Sequence, residues 1–499
     1  MFSHFIHFIV SDKGKSTVCI EFKGKKMVKK EKKVKIFVLF MIFSLVFAGT
    51  VFSAESDLKM TDEKKEKTIG EIQLEFIQGV ADFTNVGELE KAIALFDSLP
   101  EELKNDNELF LIKASLLISA GKYTEAQTLL NSLESKNPQN IDVLEMKIIL
   151  AKAIGSSQKI NQEKARAISK VLALDPNNPV ANIELGQQNV LQKKYKLAKG
   201  YFQKALIKAP TDLSAIFGIG QTSYYLGDLD DSKLAFKKML VINPNVAIAY
   251  QYLGKLEAED ENYKKATEFI EKAILLDSSN FDFYMDLGTY KRFLGKFDEA
   301  EKAWTKAISL NPSYFLAYAY RAGLYDELGK FDLALNDYRK VIETNPKYYF
   351  AYEALGILAW YAGNWEEARV AFEKAYSYNK ENISYPLMIS ACYIKMKKLP
   401  QAKMFLAPVM KTKTDRNSLD YMMLRLFHDQ GPGNAESAIA LKIQKEEKAT
   451  QKGKMLYYFG LYYSMKGNTN LAAKYFAEVT NMQSPLFFEY RLAEWGLQK

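Results

Sequence analysis

The chain runs to 499 residues, 48% of them hydrophobic and 26% charged, a length that suits either several domains or one long array. Its two cysteines, Cys19 and Cys392, exclude a framework of several disulfides. The formal charge of +8 is concentrated at the N-terminus: residues 1–54 carry ten lysines against three acids, the remainder 58 basic against 57 acidic residues, so the concentrated basic surface that nucleic acid needs is missing.

In chain order, the first feature is "MVKKEKKVKIFVLFMIFSLVFAGTVFSAES", with basic residues over Lys29–Lys35 and apolar ones over Ile36–Ala48. That is the order of a secretory signal. The apolar core is shorter than a membrane span requires, and Ser53 and Ala54 offer small residues for cleavage. Phe52 is bulky for a cut after Ala54, whereas Val51 and Ser53 suit a cut one residue earlier. Residues 1–54 are therefore expected to be leader and signal peptide, with Met27 as an alternative start. The protein is expected outside the cytoplasm, periplasmic or secreted. An uncleaved signal anchor is the alternative, and the membrane is a partner only in that case. No cysteine follows the apolar core, so acylation has no acceptor there. Residues 55–72, including "TDEKKEKT", are expected to be a charged flexible tether.

From there on the chain repeats. Residues 73–178 form divergent units, with Leu89, Ala92 and Phe96 in one and Tyr123, Ala126, Leu130 and Pro138 in the next. Residues 141–178 read as a longer unit whose extra length falls in an extended turn, "GSSQKINQ". Residues 179–416 hold seven regular units with a period of 34. Stepping by that interval gives Pro176, Pro210, Pro244, Ser278, Pro312, Pro346 and Lys380 in one column, and Gly186, Gly220, Gly254, Gly288, Ala322, Gly356 and Ser390 in another. Sixteen residues after each of these small side chains stand Phe202, Phe236, Ile270, Trp304, Tyr338, Phe372 and Leu406. Residues 417–486 continue in degenerate units around "QGPGN" and Gly460, Gly467, Ala472 and Phe476, and residues 487–499 read as a capping helix.

Spacing within a unit identifies the element. Phe297, Ala300, Trp304 and Ala307 follow the rule of one helical face. A preceding helix over Tyr284–Lys291 presents the small column, Gly295 ends it in the left-handed conformation, and the proline column stops the second helix. Neither helix can bury its apolar face alone, so units stack into a continuous core.

The stretch "YMDLGTYKRFLGKFDEAEKAWTKAISLNP", from Tyr284, resembles the tetratricopeptide repeat in its period and in its small, aromatic and proline columns. The resemblance implies an all-α fold, a right-handed α-α superhelix or solenoid of about twelve helical hairpins. It also implies a non-enzymatic scaffold whose concave groove is lined by a second stripe on each first helix. Carried onto this sequence, that stripe and the column beside it supply Phe217, Gln221, Tyr224, Tyr225, Tyr252, Phe293, Tyr320, Trp360 and Tyr361 as the candidate ligand groove. Family members that clamp a terminal carboxylate carry lysine and asparagine four residues apart on this stripe. Here the pairs are Phe217 with Gln221, Gln251 with Lys255 and Glu353 with Ile357, so that activity is not carried over.

No catalytic, cofactor or metal site is expected. Beyond the signal there is one histidine, His428, beside the "QGPGN" loop, and one cysteine, Cys392, too few for a zinc site or a nucleophile and base. "GIGQTS", from Gly218, lies mid-helix and is the small-residue column rather than a dinucleotide loop. The sequence thus points to a scaffold binding a protein or an extended peptide, within a cell-envelope assembly. An envelope factor that binds or helps export polysaccharide is the alternative, and an enzyme with an unrecognised carboxylate site the third class. Oligomeric state is left open.

Overall fold

A computed structural model describes residues 68–104, 106–431, 435–482 and 487–498. The apolar N-terminal segment, Met27, Cys19 and most of the tether lie outside them. The all-α class expected from the sequence is what the described residues have: 25 α-helices in chain order, with two short 3₁₀ turns and no strand among them. None of these helices is long and apolar enough to cross a membrane.

The described residues divide into two compact units, unit 1 ending at Asn262 and unit 2 beginning at Tyr263. Unit 1 begins at Thr68, whose hydroxyl accepts from the Glu71 amide while the Glu71 carboxylate accepts from the Thr68 amide, a reciprocal cap on the helix Ile69–Asn85. Antiparallel pairs follow: Asn107–Ser119 with Tyr123–Lys136, Ile141–Ile154 with Gln158–Leu174, Pro179–Leu191 with Tyr195–Lys208, and Leu213–Leu226 with Leu229–Ile242. Helix Ala247–Glu259 then closes the unit. First helices are capped by Asn140, Asn178 and Asp212, each accepting a backbone amide three residues on.

Unit 2 opens with Tyr263–Leu276 and repeats the pairing: Phe281–Phe293 with Phe297–Leu310, Phe315–Glu327 with Phe331–Thr344, Phe350–Tyr361 with Trp365–Tyr378, and Ser384–Lys395 with Leu399–Lys411. Shorter helices, Leu419–Asp429 and Ala435–Gln444, precede Ala449–Met465 with Thr469–Thr480, and Glu489–Gln498 is last.

Within each pair the small column is a socket for the aromatic one. A Cβ built on Gly186 would lie 2.6 Å from Phe202, and one on Gly220 2.6 Å from Phe236. In unit 2 the corresponding distances are 2.4 Å from Gly288 to Trp304, 2.9 Å from Gly356 to Phe372 and 2.8 Å from Gly460 to Phe476. These approaches are closer than any side chain allows, so the absence of a Cβ is what lets the ring sit against the facing backbone. Phe202, Phe236, Trp304 and Phe372 are all buried as a result.

Two features depart from the sequence-based expectation. Extra length over residues 141–178 lies in the second helix, Gln158–Leu174, which has 17 residues where the regular ones have 14; the turn is only Gly155–Ser157. The reason is local: Ser157 accepts from the Ile160 amide and caps a helix that "QKINQ" continues. Second, the left-handed turn is not confined to glycine. Lys193, Glu261 and Lys397 occupy the column of Gly227, Gly295, Gly329 and Gly363 with φ of 58°, 56° and 62°. In each case the next amide donates to the carbonyl five residues back, Lys194 to Asn189 at 2.8 Å and Lys398 to Tyr393 at 2.8 Å, as Lys296 does to Lys291 at 2.9 Å. That bond closes the helix end and fixes φ, whatever residue stands there.

Candidate functional site

In unit 1 the stripe on helix Leu213–Leu226 brings Phe217, Gln221, Tyr224 and Tyr225 to one side, and helix Ala247–Glu259 brings Tyr252 against it. The ring centroids of Phe217 and Tyr252 lie 5.6 Å apart edge to face, and those of Tyr224 and Tyr252 5.8 Å. Tyr252 stacks on Phe236 at 4.6 Å, which ties the stripe to the Gly220 socket beneath it. Polar tips are engaged as well. Gln221 Nε2 donates to the Tyr252 hydroxyl at 3.0 Å, and the Tyr224 hydroxyl donates to Glu259 Oε1 at 2.6 Å. Burial pushes the Tyr252 phenol well above its ordinary pKa, so it stays protonated. Tyr225 stacks on Tyr195 at 4.8 Å and remains 50% exposed. All five unit 1 candidates thus belong to one connected cluster, with Tyr252 as its buried base and Tyr225 as its open ring.

The preceding part of the stripe is polar. Gln187 accepts from Lys152 at 2.7 Å, and Glu184 lies 2.6 Å from Lys164 and 3.5 Å from Lys152. Burial alone would raise the Glu184 carboxyl, but the two ammonium groups hold it below its ordinary value.

Unit 2 does not gather its four candidates in this way. Phe293, 59% exposed, stacks on Tyr263 at 4.5 Å; Tyr320 lies 5.9 Å from the buried Trp304. Trp360 is buried, edge to face with Trp365 at 4.7 Å, and is core rather than ligand surface. Tyr361 is half-buried, packed against Phe331 at 4.9 Å and against Trp495 of the last helix at 4.2 Å. One turn before Trp495, Arg491 donates to both carboxylate oxygens of Asp326, at 2.8 and 2.6 Å. Its guanidinium lies 4.3 Å from the Trp495 ring and 5.2 Å from Phe331. On the same wall Glu353 accepts from Tyr385 at 2.5 Å.

Asp326, Arg491 and Trp495 were invisible to the stripe argument, because the pair is 165 residues apart in sequence. The signal that could have found them is the last helix itself, where Arg491 and Trp495 form a second stripe beside Leu492, Ala493 and Gly496. Two residues weighed for chemistry have plain roles. Cys392 is fully buried and burial pushes its thiol up, which leaves it protonated. His428 Nδ1 lies 2.8 Å from Asp429 Oδ1 beside the loop.

Stacked antiparallel helix pairs joined by a glycine and aromatic socket at a fixed interval define a helical-repeat protein. A family model described as "Tetratricopeptide repeat" matches residues 285–349 and 321–386, so the chain carries repeats of that family there. It is similar to anaphase-promoting complex subunit 3 of Schizosaccharomyces pombe, 26% identical over 125 residues, which is 25% of this chain and 19% of that one. It is also similar to the TPR repeat-containing protein MJ1428 of Methanocaldococcus jannaschii, 24% identical over 251 residues, 50% of this chain and 40% of that one. The chain therefore spans less than two thirds of the length of either relative. Among solved structures, the MamA protein is 29% identical with a TM-score of 0.31, over 34% of this chain and 92% of that one. YrrB, described as a TPR protein with an unusual peptide-binding site, is 19% identical with a TM-score of 0.31, over 38% and 97%.

Proposed function

We propose that this chain is an exported, non-enzymatic scaffold whose unit 1 aromatic wall takes an extended peptide or exposed segment of a partner protein in a cell-envelope assembly. The observation that carries the reading is the connected cluster of Phe217, Gln221, Tyr224, Tyr225 and Tyr252. A buried phenol supports the wall from behind, so the exposed Tyr225 ring is held in place before any ligand arrives and little side-chain entropy is lost on binding. Tyrosines held this way combine a large apolar face with a hydrogen-bonding tip, the composition of binding hot spots. The basic and apolar order of Lys29–Ala48 supports export, and the mass of the mature N-terminus tests it.

The test of binding is a titration of the partner, once identified by cross-linking, against the wild type and a Tyr224→Ala/Tyr225→Ala variant. Loss of two hot-spot rings is expected to weaken binding by about a hundredfold, with helicity unchanged by circular dichroism. Unaltered affinity would refute the reading.

A polysaccharide-related role is the second reading, and a specific feature of unit 2 favours it. Tyr349, Phe350 and Tyr378 stand 46%, 61% and 45% exposed along one edge, with Tyr349 4.1 Å from Phe350 and 5.6 Å from Tyr378. Open rings in a row suit stacking on sugars. Retention of the purified chain on immobilised polysaccharide, lost in a Tyr349→Ala/Phe350→Ala variant, would favour this reading over the first.

A further inference from the structure

The geometry points to a second docking surface, the wall of unit 2 formed by Phe315–Glu327, Phe331–Thr344 and Phe350–Tyr361, with the chain's own C-terminal helix as its resident ligand. We propose that this helix is a displaceable strap. Its replacement is a partner helix that presents a guanidinium and an aromatic ring one turn apart.

Helix Glu489–Gln498 has two working stripes. Glu489, Leu492, Ala493 and Gly496 follow helical spacing; the first three are buried, and Gly496 leaves room for Phe476, which a Cβ there would meet at 2.8 Å. Arg491 and Trp495 form the other stripe and make the contacts to Asp326, Phe331 and Tyr361 given above. The carboxylate of Asp326 meets the guanidinium fork with both oxygens, which fixes orientation as well as position. The two rings beneath supply a floor for the indole. This is a recognition site with its occupant in view.

Three properties make the occupant replaceable. A helix of ten residues does not hold its shape alone, so its order depends on these contacts. Arg491 keeps 32% of its side chain exposed, and its ion pair is therefore screened and modest in strength. Seating the helix also buries the Glu489 carboxyl completely beside Tyr457 and Tyr458, with Tyr458 donating to Oε1 at 2.9 Å, and the desolvation of that group, which outweighs its hydrogen bonds, opposes docking. A partner carrying the same two groups competes with a tethered strap, so it must overcome the strap's effective concentration. The proposal concerns unit 2 alone and does not depend on the unit 1 wall.

Native-state hydrogen exchange on the full chain tests it. The amides of Glu489–Gln498 are expected to exchange through an opening that leaves Ala449–Met465 protected. Asp326→Asn, nearly isosteric, and Trp495→Ala should each speed exchange in the last helix by about tenfold while leaving Phe281–Phe293 unchanged. Exchange of the last helix only together with Ala449–Met465, in wild type and variants alike, would make it fixed core and end the proposal. A fluorescent peptide with the sequence of residues 487–498 gives the second readout. It is expected to bind the Trp495→Ala chain at least about tenfold tighter than the wild type. Equal binding to both, or to neither, would overturn the proposal.

Discussion

The two units are built on the same socket, yet they treat the surface beside it in opposite ways. In unit 1 the Gly220 socket carries Phe236, Phe236 carries Tyr252, and the stripe above ends in a half-exposed Tyr225. In unit 2 the equivalent wall at Tyr361 is spent on Trp495 of the chain's own last helix. A repeat architecture thus dictates how a wall is made and leaves open whether it is free. Which walls are free depends on non-local segments, and function follows from that second fact rather than from the repeat alone.

The largest expected effect tests whether the socket is shared. Gly288→Leu forces a side chain into the space of Trp304, and Gly220→Leu does the same to Phe236. Each is expected to cost about 3 kcal/mol, read as a drop in thermal midpoint by circular dichroism. A tolerated leucine at either site would mean that the two units are not held together in the same way.

A smaller effect sharpens the difference at the strap. Burial raises the Glu489 carboxyl above its ordinary value of 4.5, while Lys454 and the side-chain hydroxyls of Ser384 and Tyr458 work against it. A carboxyl raised on folding contributes stability below its unfolded pKa, and that contribution is lost as pH rises through the folded one. Unit 2 is therefore expected to lose stability as pH rises above that ordinary value, and Glu489→Gln to flatten that slope and to make the chain more stable than wild type at neutral pH. Thermal melts across this range, wild type against variant, check it; parallel slopes would show that Glu489 does not carry the dependence.

The smallest effect concerns the turns. Lys193 in unit 1 and Lys397 in unit 2 hold positive φ at positions where four repeats have glycine. Lys193→Gly and Lys397→Gly are each expected to stabilise by about 0.5–1 kcal/mol, relief of left-handed strain partly offset by glycine's greater unfolded entropy. Equal gains in the two units would confirm that the turn is set by the backbone hydrogen bonds common to both.

Much of the fold was legible because its determinants are local and repeated. The residues of the small column and those of the aromatic column stand sixteen positions apart within one hairpin, and that offset alone pairs Gly186 with Phe202 and Gly288 with Trp304. The turn conformation at Lys193, Glu261 and Lys397 was not legible, since φ there is imposed by the helix-closing amide and not by the side chain. The candidate site was legible in part. Gln221, Tyr224 and Tyr252 meet because adjacent hairpins carry them in register. Trp360 and Tyr361, one step apart on a helix, point to different sides, and only the packing of Trp365 and Trp495 shows which is core. Arg491 on Asp326 joins positions that no period connects.

The central claim, that the wall of unit 1 is available to a partner and the wall of unit 2 is occupied from within, can be tested by a photo-reactive p-benzoyl-phenylalanine placed at Tyr225 and, separately, at Tyr361 in the full chain. Irradiation in cells is expected to give a partner adduct from position 225 and, from position 361, an internal link to the last helix. A partner adduct from position 361 together with none from position 225 would contradict the account.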